Sequence, residues 1–140
     1  MADSTTYTTT VVRAQDGSVY VPVPFDPDAV WGIFDADVAW EVGTLAIPDF
    51  PPTFHGPEGV REFFRRWIGT FDDWGYEVEE VIQGRNAVLL RVHQWGRGKG
   101  SGASVEGRFW QVWVMRSDKA VRVRHLLAKD EAFEAAGLSE

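Results

Sequence analysis

Two polar side chains, Gln111 and His125, interrupt strand faces that are otherwise mostly apolar. In VEGRFWQVWVMR, Val105, Gly107, Phe109, Gln111, Trp113 and Met115 share one face. Glu106, Arg108, Trp110, Val112, Val114 and Arg116 share the other. Further on, Val121, Val123, His125 and Leu127 alternate with Arg122, Arg124 and Leu126. This period of two, with bulky β-formers, is the pattern of a pleated, half-buried sheet. An imidazole titrates near neutrality and can take up or give a proton. A glutamine amide can donate to a developing oxyanion but cannot titrate. The two are expected to face a pocket floored by the hairpin over 105–127, with Phe109 and Trp113 in the same phase to pack a flat apolar ligand. The competing reading makes His125 a core or rim histidine satisfied by a backbone carbonyl.

Other chemistries find less support. His55, His93 and His125 are far apart and match neither HxH nor HExxH, so no metal site is expected. Without cysteine there is no disulfide and no thiolate chemistry. GRGKGSG at 96–102 is glycine-rich, but it lies between two strand patterns and reads as a hairpin loop rather than a phosphate cradle. A net charge of -7 argues against a nucleic-acid surface, which needs a basic field. No apolar run reaches membrane-spanning length. MADSTTYTTT lacks a charged segment followed by an apolar one, so no secretory signal is expected and a cytoplasmic location is. Seven Trp and nine Phe either fill a core or line an apolar pocket.

The elements that must position these residues follow along the chain. At 140 residues a single domain is expected. Residues 7–14 and 19–23 are extended, with a turn at Gln15, Asp16 and Gly17, so a small hairpin is plausible. Asp26 and Pro27 open a short helix over 27–34. Asp35, Ala36 and Asp37 break it, and a strand covers 38–42. The clearest helix opens at Gly56, Pro57 and Glu58, carries Val60, Phe63, Phe64, Trp67, Ile68 and Phe71 at helical spacing, and ends at 72–75. Strands follow over 76–83 and 87–95, then the hairpin. KDEAFEAAGL forms a last short helix that stops at Gly137. The fold class is α+β: a curved antiparallel sheet forming a cone, with helices covering one face.

Over about residues 26–138 the chain resembles the SnoaL-like branch of the nuclear transport factor 2-like (NTF2-like) superfamily. The pieces that carry the resemblance are DADVAWE at 35–41, FHGPEGVREFFRRW at 54–67, GRGKGSG at 96–102, VWVMRSDKAVRVRHL at 112–126 and EAFEAAGL at 131–138. It implies an α+β cone with one pocket, and says little about chemistry because this fold hosts many. The first 25 residues depart from the family, whose members usually begin with a long capping helix. TTYTTTVVRAQDGSVYVPVPFDPDAVWG instead reads as extended pieces, an extended segment or hairpin over the first 25 residues, and only one short helix.

The resemblance also implies site positions. Ketosteroid isomerase-like members carry a carboxylate base on the first strand, and that position falls on Trp40, so the base is absent there. Glu41 points to the opposite face, and Asp37 reaches in only if the turn bends that way. The acid of the penultimate strand falls near Gln111. Cyclase-like members use a carboxylate late in the last strand, which falls on His125. Ala128 stands where many members carry an Asp. The implied catalytic set is His125 moving a proton and Gln111 polarising an oxygen, with Asp37 nearby. The implied ligand contacts are Trp40, His55, Phe63, Trp67, Phe109, Trp113 and Val123. No cofactor is implied. The function expected is cofactor-free acid–base catalysis on a small apolar molecule. The alternatives are a non-catalytic binding protein, or a dimerisation module using Trp110, Val112 and Val114 on the outer sheet face as a homodimer surface.

Overall fold

The computed structural model describes residues 12–13, 19–20 and 32–138. Two short strands, β1 (Val12–Arg13) and β2 (Val19–Tyr20), pair in antiparallel register. The helix expected over 27–34 lies outside the described residues except at its end, where Phe34 is already strand.

Six strands form the main sheet: β3 (Phe34–Glu41), β4 (Thr53–His55), β5 (Phe71–Gln83), β6 (Ala87–Gly98), β7 (Ser104–Arg116) and β8 (Lys119–Leu126). Their order is β4-β3-β8-β7-β6-β5. The pairs are antiparallel except β3 with β8, which run parallel. The first strand returns beside the last through a long connection, as a parallel neighbour requires. Register shifts interrupt β3–β8, β5–β6 and β7–β8. Such bulges bend a strand and tighten its twist, so they curve the sheet into a cone.

Three strands are longer than expected. β3 starts at Phe34, so Asp35, Ala36 and Asp37 lie inside the strand, at its irregular end, rather than in a breaking turn. There the Asp37 N–H donates to the Asp35 carboxylate at 2.9 Å. β5 starts at Phe71, because β6 continues to Gly98 and offers partners as far as Phe71. Thr70 turns the chain, its hydroxyl donating to the Trp67 carbonyl at 2.6 Å. Only five residues, 99–103, remain as the glycine-rich loop.

α1 (Gly56–Gly69) has Pro57 at its start, Glu58 in its first turn and Arg66 in its last, all favourable for a helix. Its exposed side carries Glu62 between Arg65 and Arg66. Val60 and Phe63 are buried against Phe34, Val38, Trp40, Val42, Phe54, Ala120 and Val123 on the concave face. α2 (Lys129–Ala135) lies on the other face, where Ala132 and Phe133 pack on Ile82, Leu89, Trp110, Val112 and Leu126. Gly137 ends it with φ 73°, and the Leu138 N–H reaches the Phe133 carbonyl at 2.9 Å.

The helices therefore cover both faces, not one. The alternation explains this: β7 is apolar on both sides near Trp110 and Val112, and both sides must be covered. It also corrects the reading of the outer face. Trp110 and Val112 are 5% and 0% exposed under α2, so they are core rather than a bare homodimer surface. Among the described residues no helix is long and apolar enough to cross a membrane.

Candidate functional site

The concave face of the sheet and α1 enclose a cavity of about 190 Å³. An apolar cavity of about 150 Å³ accommodates a benzene, so this one suits one or two fused rings. Strand alternation supplies its floor: Trp74, Tyr76 and Val78 from β5, Leu90, Val92 and Gln94 from β6, Phe109, Gln111 and Trp113 from β7, and His125 from β8. Phe63, Phe64 and Trp67 of α1 form the roof, with Phe34 and Trp40 of β3, and Leu45 and Ile47 from the connection after it. Among the described residues no Asp, Glu, Lys or Arg lines it.

Its polar atoms form two fixed groups. The first is a chain. The Trp113 indole N–H donates to Gln111 Oε1 at 3.0 Å. The Gln111 amide then faces His125 Nε2 at 3.1 Å, and His125 Nδ1 lies 2.8 Å from the Glu41 carbonyl oxygen. An indole can only donate and a carbonyl can only accept. Both ends thus fix the middle: Gln111 donates through its nitrogen, His125 accepts at Nε2 and donates from Nδ1. Thr44 donates its hydroxyl to the His125 carbonyl, holding β8 at the same point.

Burial pushes the His125 imidazole down to about 4, against the Glu41 carbonyl, which favours the protonated form. The ring is neutral at pH 7, and neither nitrogen is available to a bound molecule while Gln111 stays in place. The backbone-satisfied reading of this histidine is the one its surroundings match.

The second group centres on Gln94. The Trp67 and Trp74 indole N–H groups both donate to Gln94 Oε1, each at 3.2 Å. Tyr76 stacks on Trp74 with centroids 5.5 Å apart, and burial pushes its phenol up to about 12, so it stays protonated. Trp40 is packed by His125, Phe64, Phe63 and Trp113 at centroid distances of 4.9, 5.2, 5.6 and 6.0 Å. Its indole N–H is buried with no hydrogen-bond partner among the described residues.

Of the residues expected in the site, His125, Gln111, Trp40, Phe63, Trp67, Phe109 and Trp113 all line this cavity. Three do not. Asp37 is exposed on β3, because the irregular strand end carries it to the rim. His55 is exposed at the N-cap of α1 and makes no capping bond with its side chain. Val123 is fully buried, but it is paired with Trp113 and Trp40, whose larger rings cover it. Gln94, Tyr76 and Trp74 were not anticipated. The signal was present, since Leu90, Val92 and Gln94 repeat on β6 the apolar face with one polar intrusion that marks Gln111 on β7.

His93 points to the outer face. Its Nδ1 lies 3.2 Å from Glu77 and its Nε2 2.9 Å from Glu106. Glu79 beside it takes Arg108 at 3.0 Å and Arg91 at 3.6 Å. Glu77, Glu79 and His93 offer atoms within 4.8 Å of one another, a spacing that could hold a metal ion. Each of the three already has a protein partner, so the group reads as an ion-pair network.

A family model described as a SnoaL-like domain matches residues 24–123. Among solved structures, TerC co-crystallised with polyporic acid is 18% identical over 80% of this chain and 86% of its own, with a TM-score of 0.63. An NTF2-like protein of unknown function from Burkholderia pseudomallei K96243 is 19% identical over 78% and 83%, at 0.64. A protein of ketosteroid isomerase-like fold from Catenulispora acidiphila DSM 44928, in complex with trimethylamine, is 14% identical over 81% and 83%, at 0.62. At these identities the structures share the fold. No curated protein matches the chain in sequence.

Proposed function

This chain belongs to the SnoaL-like domain family, and from that premise we propose that its cavity is a binding site for a small, neutral, flat apolar molecule. The observation that carries this is the absence of any charged side chain among the described residues of the lining, together with a histidine whose two nitrogens are both engaged. Burying an unpaired charge costs several kcal/mol, so such a wall selects against ions. Stacked and edge-on rings favour an aromatic guest. Relatives of this fold have been solved with small molecules, polyporic acid in one and trimethylamine in another.

Proton transfer by His125 is the second reading, favoured by the position of its ring in the cavity wall beside Gln111. It requires Gln111 to release Nε2, and a base with a pKa near 4 has little driving force at pH 7.

Titration of the tryptophan fluorescence separates these readings. A neutral bicyclic ketone such as 1-indanone should quench saturably, and its carboxylate derivative should bind at least about tenfold more weakly. Trp113→Ala should cost most of the affinity and His125→Phe little. Equal binding of the neutral and anionic forms would overturn the proposal.

A further inference from the structure

The two tryptophan donors on Gln94 say more about the ligand. Both indole N–H groups need an acceptor, and the glutamine has one oxygen. That fixes the amide orientation without ambiguity and commits Oε1 twice. The amide nitrogen, with two N–H bonds, then has no acceptor among the described residues, although Gln94 lines the cavity. Gln111 differs, because its amide nitrogen is spent on His125.

The register also leaves room beside Gln94. Its neighbour on β7 is Gly107, and a side chain built there would meet nothing within 4 Å. On β5 its neighbour is Tyr76. The apolar cavity therefore has one oriented, uncommitted amide donor, and no side chain at Gly107 crowds it.

We infer that Gln94 reads the ligand: the site takes a flat, neutral frame bearing a carbonyl oxygen, which accepts from the Gln94 amide. This deepens the binding-site proposal above and rests on it. A site that holds a donor for a substrate oxygen rejects the analogue lacking it, because the donor is then left unpaired.

Indane and 1-indanone differ by one carbonyl oxygen on the same bicyclic frame. Titrations followed by side-chain amide and indole N–H resonances should show 1-indanone binding about three- to tenfold more tightly than indane, the effect of one net hydrogen bond. In the wild-type protein the Gln94 amide protons should move downfield with 1-indanone and not with indane. Gln94→Glu keeps an acceptor for both indoles and removes the donors. That variant should bring the ketone preference to about one. If the preference and the amide shifts are absent in the wild type while both molecules bind, the role of Gln94 is overturned and the binding site stands. If neither molecule binds the wild type, both fall.

Discussion

His125 and His93 lie on the same sheet, two strands apart and on opposite faces, and their surroundings treat them oppositely. His125 is 3% exposed and is held by neutral groups, a backbone carbonyl and a glutamine amide. Burial dominates and keeps it uncharged. At His93 burial also works against the proton, but hydrogen bonds donated to Glu106 and Glu77 outweigh it and hold the pKa above its ordinary value. The concave face is thus built to exclude charge and the convex face to pair it. That division, more than the presence of a histidine, indicates what the pocket can do.

The comparison can be broken most forcefully at Gln111. Replacing it with Leu strands the Trp113 N–H and the His125 lone pair, and urea unfolding should show a loss of about 3 to 4 kcal/mol. His93→Gln on the outer face should change stability by no more than about 0.5 kcal/mol. Similar costs at the two sites would remove the distinction.

Acid sharpens it next. The folded pKa of His125 lies below that of the unfolded chain, so its contribution is complete above about 6.5 and falls as pH drops towards 4. The change is on the order of 3 kcal/mol. His125→Phe should flatten that part of the stability profile, measured as the difference from the wild type in denaturant midpoints between pH 7 and pH 4. His93 has the opposite sign. Its contribution is complete below about 6.5 and is lost as pH rises through its raised folded value. The smallest effect expected is that His93→Gln removes a weak loss of stability on the alkaline side, one that 1 M salt also erases.

Much of this architecture is legible in the sequence, and the failures are instructive. Strand alternation places Phe109, Gln111, Trp113 and His125 together because β7 and β8 are paired by a short turn, which fixes their relative phase. The α1 stripe places Phe63 and Trp67 for the same local reason. Asp37 and Val123 were misplaced because their fate depends on long-range pairing. The irregular β3–β8 register sends one to the rim, and two tryptophans cover the other. The sides of β7 looked like one core and one surface. Only the return of α2 onto Trp110 shows that both are core. Gln94 was missed because the phase of β6 relative to β7 depends on the length of the intervening loop, and β6 takes up Gly96, Arg97 and Gly98 of that loop.

The central claim is that His125 is a fixed, neutral part of the wall rather than a proton carrier. Imidazole nitrogen shifts recorded by NMR from pH 3 to 8 test it directly. The account expects His125 as the Nδ1–H tautomer throughout the neutral range, titrating only near pH 4. A midpoint at 6.5 or above, or a proton on Nε2 at pH 7, would contradict it.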